Sequence, residues 1–186
     1  PRRVYSGHLR EGRYSLTSVS EATGVASLLL SGKIIQSSEG RITAQGLQPD
    51  WFSTVKGERK RPTVRFDWPQ QRLLLPGGAV SLPTQTQDLL SFPFHLAMRV
   101  REGDAAWVMS VTNDKNLRNY NFQVIGREML TLGATRIETL RVQGRRSGDG
   151  SLDVWLAPER QWLPVRIRTL DQQGKVILLS LLEGNR

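Results

Sequence analysis

Alternation of apolar and polar residues constrains this chain more than any other feature. In "TVRFDW", Val64, Phe66 and Trp68 share one face and Arg65 and Asp67 the other. Tyr14 and Leu16 alternate with Arg13, Ser15 and Thr17 in the same way, and Ile42 and Ala44 with Arg41, Thr43 and Gln45. The pattern returns at Tyr120, Phe122 and Val124, at Leu152, Val154 and Leu156, and at Leu163, Val165 and Ile167. Breakers separate the runs: "PGG" at Pro76–Gly78, "SGDG" at Ser147–Gly150 and "DQQG" at Asp171–Gly174. A side-chain period of two with short connections implies antiparallel strands, about nine to eleven of them.

Asp149-Gly150 is the strongest hairpin signal, because both central residues of a type I′ turn need positive φ. It pairs "ATRIETLRVQ" with "SLDVWLAP", and "DQQG" then joins "WLPVRIRTL" to "KVILLSLL", which makes a four-stranded C-terminal meander. Pro164 cannot donate to a ladder, so it belongs at an edge, a bulge or a strand's first residue. With no repeat, low-complexity tract or linker, residues 1–186 are expected to form one domain. The expected fold is mainly β: a single curved antiparallel sheet, or an incomplete β-barrel.

The segment "TQTQDLLSFPFHLAMRV", Thr84 to Val100, departs from this pattern. Thr84 with Gln87 resembles a capping box, and Leu89, Phe92, Leu96 and Val100 make one helical stripe. Pro93 costs about 3 kcal/mol inside a regular helix. Either the helix kinks there, or a first turn spans Asp88 to Ser91 and a second helix starts near Pro93. One helix within 84–100, laid into the opening of the sheet, would close or fill it. A kinked helix would act as a movable lid, exposing Phe92 and Phe94 as it shifts. Asp88 in a first helical turn would complement the dipole.

Several classes of chemistry find no support. There are no cysteines, hence no disulfides, thiol catalysis or cysteine-ligated metal. No nucleophile elbow or phosphate-binding glycine loop occurs. A zinc site would have to use His8, His95 and carboxylates at a spacing unlike any known motif. Along a helix, His95 and Asp88 would lie about 10 Å apart at ~1.5 Å per residue, beyond hydrogen-bonding reach. His95 therefore reads as structural or superficial. Asp67 and Asp88 read as structural carboxylates, each paired with an arginine. No catalytic residue, metal or cofactor is expected.

The net charge is +9, but Arg65, Arg136, Arg141, Arg166 and Arg168 are scattered along strands. The one dense cluster, "GERKRP" at Gly57–Pro62, is close to Trp51 and Phe52. After the turn signal Pro49-Asp50, Trp51 and Phe52 are expected to be an exposed aromatic pair for a membrane surface or a partner. Weak, salt-dependent nucleic-acid binding follows from charge alone, without a recognition motif for specific binding. No apolar run reaches the ~20 residues of a transmembrane helix. The chain begins at Pro1 with no initiator methionine and no visible signal peptide, which fits a processed or trimmed chain.

Taken in order, "SEGRITAQGLQPDWFS" (Ser38–Ser53), "VRFDW" (Val64–Trp68), "TQDLLSFPFHLA" (Thr86–Ala97), "LGATRIETLRV" (Leu132–Val142) and "VWLAPERQWLPVRIR" (Val154–Arg168) resemble the bacterial domain-of-unknown-function family 3108. The resemblance covers most of the chain and implies an exported, β-rich envelope protein, periplasmic in location, with no catalytic residue to transfer. Pro93 departs from the family's usual helix. At fold level the chain is also similar to periplasmic carriers in which a half-open barrel holds a helix and binds acyl chains. The resulting expectation is a monomeric, non-enzymatic protein that binds an apolar or lipid-like ligand or an envelope partner. Trp51, Phe52, Phe92 and Phe94 are its candidate contact residues. The alternatives are a structural or assembly factor with a filled core and, less favoured, an enzyme acting on envelope glycan or lipid.

Overall fold

The computed structural model describes residues 2–21, 33–60, 62–146 and 150–184. A first sheet holds β1 (Arg2–Arg10), β2 (Arg13–Glu21), β3 (Ile34–Thr43) and β4 (Gly46–Lys56). To it belong also β5 (Arg59–Lys60), β6 (Val64–Asp67), β7 (Arg72–Leu75) and β8 (Gly78–Ser81). Next come the short β9 (Gln87–Asp88) and the helix α1 (Phe92–Arg101). The second sheet adds to β9 the strands β10 (Ala106–Thr112), β11 (Leu117–Leu132) and β12 (Thr135–Arg145). It ends with β13 (Ser151–Ala157), β14 (Leu163–Leu170) and β15 (Val176–Gly184), and curls into a half-barrel.

The expected single sheet of nine to eleven strands is thus corrected to two sheets. Among the described residues they hold thirteen strands of four residues or more, plus the two-residue β5 and β9. The extra strands are short ones around β4 to β8, whose turn signals are too closely spaced to read individually. The sheets join edge to edge through a parallel pair, β1 with β15, in which Arg3 faces Leu182. Within each sheet neighbouring strands are antiparallel apart from β9 beside β10, and β12 to β15 form the expected meander. Ser147 to Asp149 of the "SGDG" turn lie outside the described residues, but Arg145 faces Ser151 across it.

Burial follows the alternation on most strands. Tyr14, Leu16, Val64, Phe66, Phe122, Val154 and Leu156 enter one core cluster that draws on both sheets and on Phe92, Leu96 and Ala97 of α1. β14 breaks the pattern. Trp155 faces Arg166 while Leu156 faces Pro164, so Val165 is an extra, bulged residue. The bulge accommodates Pro164 and turns Ile167 toward the main core. Val165 instead joins Leu130, Ile137, Trp155 and Ala157 in a second cluster.

Helix α1 begins at Phe92 and places Pro93 in its first turn, where no intrahelical N–H bond is required. The second of the two sequence alternatives holds, and no kink forms. The capping box is absent: Gln85 has φ +60°, and the Thr86 hydroxyl donates to the Pro83 carbonyl at 2.7 Å. Without a break at Pro93, the kinked lid is also withdrawn.

Strand geometry overturns the exposed aromatic pair. Trp51 and Phe52 are consecutive in β4, so they point to opposite faces. Phe52 is 0% exposed in the core and Trp51 is half-buried. Phe52→Ala should therefore cost about 3–5 kcal/mol, and Trp51→Ala well under that. Urea unfolding at constant m-value measures both, and equal costs would contradict this placement.

Candidate functional site

Residues 84–91 cross from the first sheet to the helix and carry the densest run of buried polar side chains among the described residues. Thr86, Gln87, Asp88 and Ser91 are all 0% exposed. The Asp88 carboxylate accepts from the Leu90 and Ser91 backbone N–H groups at 2.8 and 3.0 Å and from the Ser38 hydroxyl at 2.6 Å. Ser38 also shares a hydrogen bond of 3.2 Å with the Tyr14 hydroxyl, and the Ser91 hydroxyl accepts the Asp88 N–H at 3.0 Å. The Gln87 amide donates to the Leu47 carbonyl at 2.7 Å. β9, at the edge of the second sheet, is thereby clasped to β2, β3 and β4 of the first.

This corrects two readings of Asp88. It precedes the helix rather than sitting in its first turn, and its partners are hydroxyls and backbone amides, not an arginine. Asp67 likewise accepts the Gln70 N–H at 3.1 Å in a turn. Close packing supports the clasp: a Cβ on Gly40 would come within 2.2 Å of the Gln48 carbonyl and 2.8 Å of the Tyr14 ring.

Burial pushes the Asp88 carboxyl up to about 6, although the Ser38, Ser91 and Leu90 donors pull it back. Burial first, and the Asp88 charge second, drive the Tyr14 phenol well above its ordinary range. His95, inside α1, is 1% exposed, and neither ring nitrogen has a partner. Burial, followed by the nearby Arg99 charge, pushes it down to about 4. Its ring lies against Gly46, where a Cβ would come within 2.6 Å. His95 is thus a neutral core residue, while His8 is exposed.

A half-open cavity of about 370 Å³ lies at one end of the second sheet. Leu89, Phe92, Val111, Leu152, Ile167 and Leu170 supply its apolar lining. The polar side chains around it include Asn113, Asn116, Thr169 and Gln172 together with the charged Arg118 and Asp171, the latter accepting backbone N–H groups of Gln173 and Lys175. Phe92, stacked on Phe122 at 6.5 Å, belongs to this lining, whereas half-buried Phe94 packs on the core away from it. Of the four candidate contact residues, Phe92 lines this cavity, and Trp51, Phe52 and Phe94 do not. Among the described residues no cluster of three metal-ligating side chains occurs.

One further polar group escaped the sequence reading. Asp153, 0% exposed, holds Arg141, Gln143 and Arg168 on the outer face of β12 to β14. The readable signal was its placement two residues from Trp155 on one strand face; the arginines come from other strands.

A curled antiparallel sheet with one helix and a cavity at its mouth defines a β-rich, half-barrel domain. Its sequence matches the model of a family described as protein of unknown function, DUF3108, over residues 6–179, and the chain belongs to that family. No curated protein and no solved structure matches the chain.

Asp88 and His95 titrate with opposite signs. The raised Asp88 value means that its stability contribution is full below about pH 3.8 and is lost as pH rises through about 6. The lowered His95 value means that its contribution is full above about pH 6.5 and is lost as pH falls through about 4. The slopes oppose each other between these limits. Relative to wild type, Asp88→Asn should gain stability as pH rises across this window, and His95→Leu should lose it. Urea unfolding at several pH values reads the difference, and parallel profiles would contradict the assignment.

Proposed function

We propose that this chain is a non-catalytic cell-envelope protein of the periplasm that binds the apolar part of a lipid-like ligand. The observation that carries this reading is the cavity between Leu89 and Phe92 on one side and Val111, Leu152, Ile167 and Leu170 on the other. At about 370 Å³ it lies at the small end of the ~300–1,000 Å³ range of ligand sites. Its lining is apolar at the floor and polar at the rim, the arrangement that suits one hydrocarbon chain with its head outside. The buried side chains of Phe92, Val111, Leu152 and Ile167 line this space, so an acyl chain entering it would meet apolar walls. No helix among the described residues is long and apolar enough to cross a membrane.

The site acts by burial. Each CH₂ that enters contributes about 0.8 kcal/mol, or roughly fourfold in affinity. Fatty acids of increasing length should therefore bind progressively more tightly and then level off once the cavity is full. Titration of a fluorescent fatty acid, with unlabelled chains as competitors, measures this. Leu89→Trp, which fills the mouth from a half-buried position, should abolish binding without lowering the melting temperature, and Leu170→Trp is the second variant. Absence of binding, or equal binding by wild type and both variants, would favour the filled structural barrel instead.

A further inference from the structure

The outer face of β12 to β14 is built around one indole. The guanidinium carbons of Arg141, Arg166 and Arg168 lie 5.5, 5.0 and 5.0 Å from the Trp155 ring centroid, and Trp155 itself is 2% exposed. Cross-strand register explains the convergence: Arg141 and Arg166 flank Trp155 on either side, and Gln143 and Arg168 flank Asp153. Arg168 donates from Nε and Nη2 to Asp153 Oδ2 at 3.1 and 2.7 Å, and Arg141 donates from Nε and Nη2 to Oδ1 at 3.2 and 3.1 Å. Arg141 reaches Glu128 as well, at 3.2 Å. The Trp155 indole N–H donates to Glu128 at 2.8 Å; it and then Arg141 hold that carboxyl below its usual range against the effect of burial.

The charges on this face do not balance. Asp153 and Glu128 are shared by Arg141 and Arg168, while Arg166 has no carboxylate partner among the described residues. Its Nε is buried without a hydrogen bond. Arg145, next on the same face of β12, donates to the Gln143 side-chain oxygen at 2.7 Å and has no carboxylate partner among the described residues. A staple between strands needs neither of these cations. Taking the Arg166 guanidinium partly out of water without a counter-charge opposes folding, and Arg145 beside it is exposed, so the arrangement is suited to an anion arriving from outside. The geometry also prepares the two cations for it, because the Trp155 ring beneath Arg166 and the Gln143 oxygen bonded to Arg145 limit the freedom of their guanidiniums.

The neighbours on this face indicate the kind of anion. Register continues the Arg145 row through Asn121 to Val108, which is 66% exposed, with exposed Ala106 two residues away on the same face of β10. Cations beside exposed apolar side chains on an extended, open face match a lipid interface, where phosphates sit above acyl chains.

We propose that the outer face of β12 to β14, with the exposed edge at Val108, docks on the phosphate headgroups of an anionic membrane through Arg145 and Arg166. This inference is independent of the cavity: the cavity variants alter acyl-chain titration, and the outer-face variants alter vesicle binding.

The test is co-sedimentation of the full chain with phosphatidylcholine vesicles with and without phosphatidylglycerol. Wild type should bind only the vesicles that contain phosphatidylglycerol, with affinity falling as salt rises. A basic residue near an anionic surface contributes roughly a factor of five, so Arg145→Gln with Arg166→Gln should weaken binding about thirtyfold. Arg59→Gln with Lys60→Gln, in the basic cluster of the other sheet, should change it by less than about twofold, the result expected if location and not total charge decides. Trp155 keeps two of its three guanidiniums in the first variant, and an unchanged melting temperature verifies the fold. Equal losses in the two variants, binding to phosphatidylcholine alone, or no vesicle binding would overturn the proposal. So would displacement from the vesicles by an equal charge of DNA duplex, which would assign the face to nucleic acid.

Discussion

The fully buried Asp88 carboxylate is the interaction on which the arrangement of the two sheets depends. β9 has only two residues, too few to hold the edge of a sheet by ladder bonds alone. Its side chains do that work. Gln87 reaches the Leu47 carbonyl, and Asp88 gathers Ser38 and the start of α1 into one hydrogen-bonded group. Removing a partner from such a group leaves a buried polar atom unsatisfied, which costs more than the net gain of an ordinary hydrogen bond. Because the same carboxylate orders Leu90 and Ser91, the clasp also sets where α1 begins. Leu89 and Phe92, on either side of that start, then form one wall of the cavity. Sheet closure and cavity shape are one constraint.

Much of the fold was legible because alternation reports which side of a strand is buried. Tyr14 with Leu16 and Val64 with Phe66 face the core as the pattern required. Pro164 falls at a bulge, one of the few places a strand tolerates it. Misreadings occurred where local signals compete. A turn signal before Trp51-Phe52 suggested exposure, yet β4 continues through it with a register shift and buries Phe52. The helical stripe from Leu89 was real in spacing, but the Asp88 and Ser91 hydrogen bonds hold the first part of it out of the helix. Division into two sheets joined by parallel β1 and β15 was not legible at all, since the partners stand at opposite ends of the chain.

The candidate sites show the same division between local and distant information. Phe92 was readable because a proline-flanked aromatic in an isolated helix must pack on something. Asp88 was singled out, but its partner Ser38, and Tyr14 bonded to Ser38 in turn, come from strands fifty and more residues earlier, and no spacing rule reports them. His95 gave no sign of its full burial against Gly46. The arginines read as scattered along the sequence are gathered by register: Arg141 and Arg166 meet over Trp155 only because β12 to β14 pair as they do. Linear dispersion of charge and its concentration on one face are compatible in a β-sheet, whose side-chain neighbours lie across strands.

The central claim is that the space behind Leu89 and Phe92 is a ligand site and not a packing defect. Native mass spectrometry of the protein purified from the cells that make it tests this most directly, because it needs no choice of ligand in advance. The account predicts a second population, heavier than the bare chain by the mass of one molecule carrying an acyl chain, that is lost on mild activation. A single population at the mass of the bare chain, under conditions that preserve known lipid complexes, would contradict it.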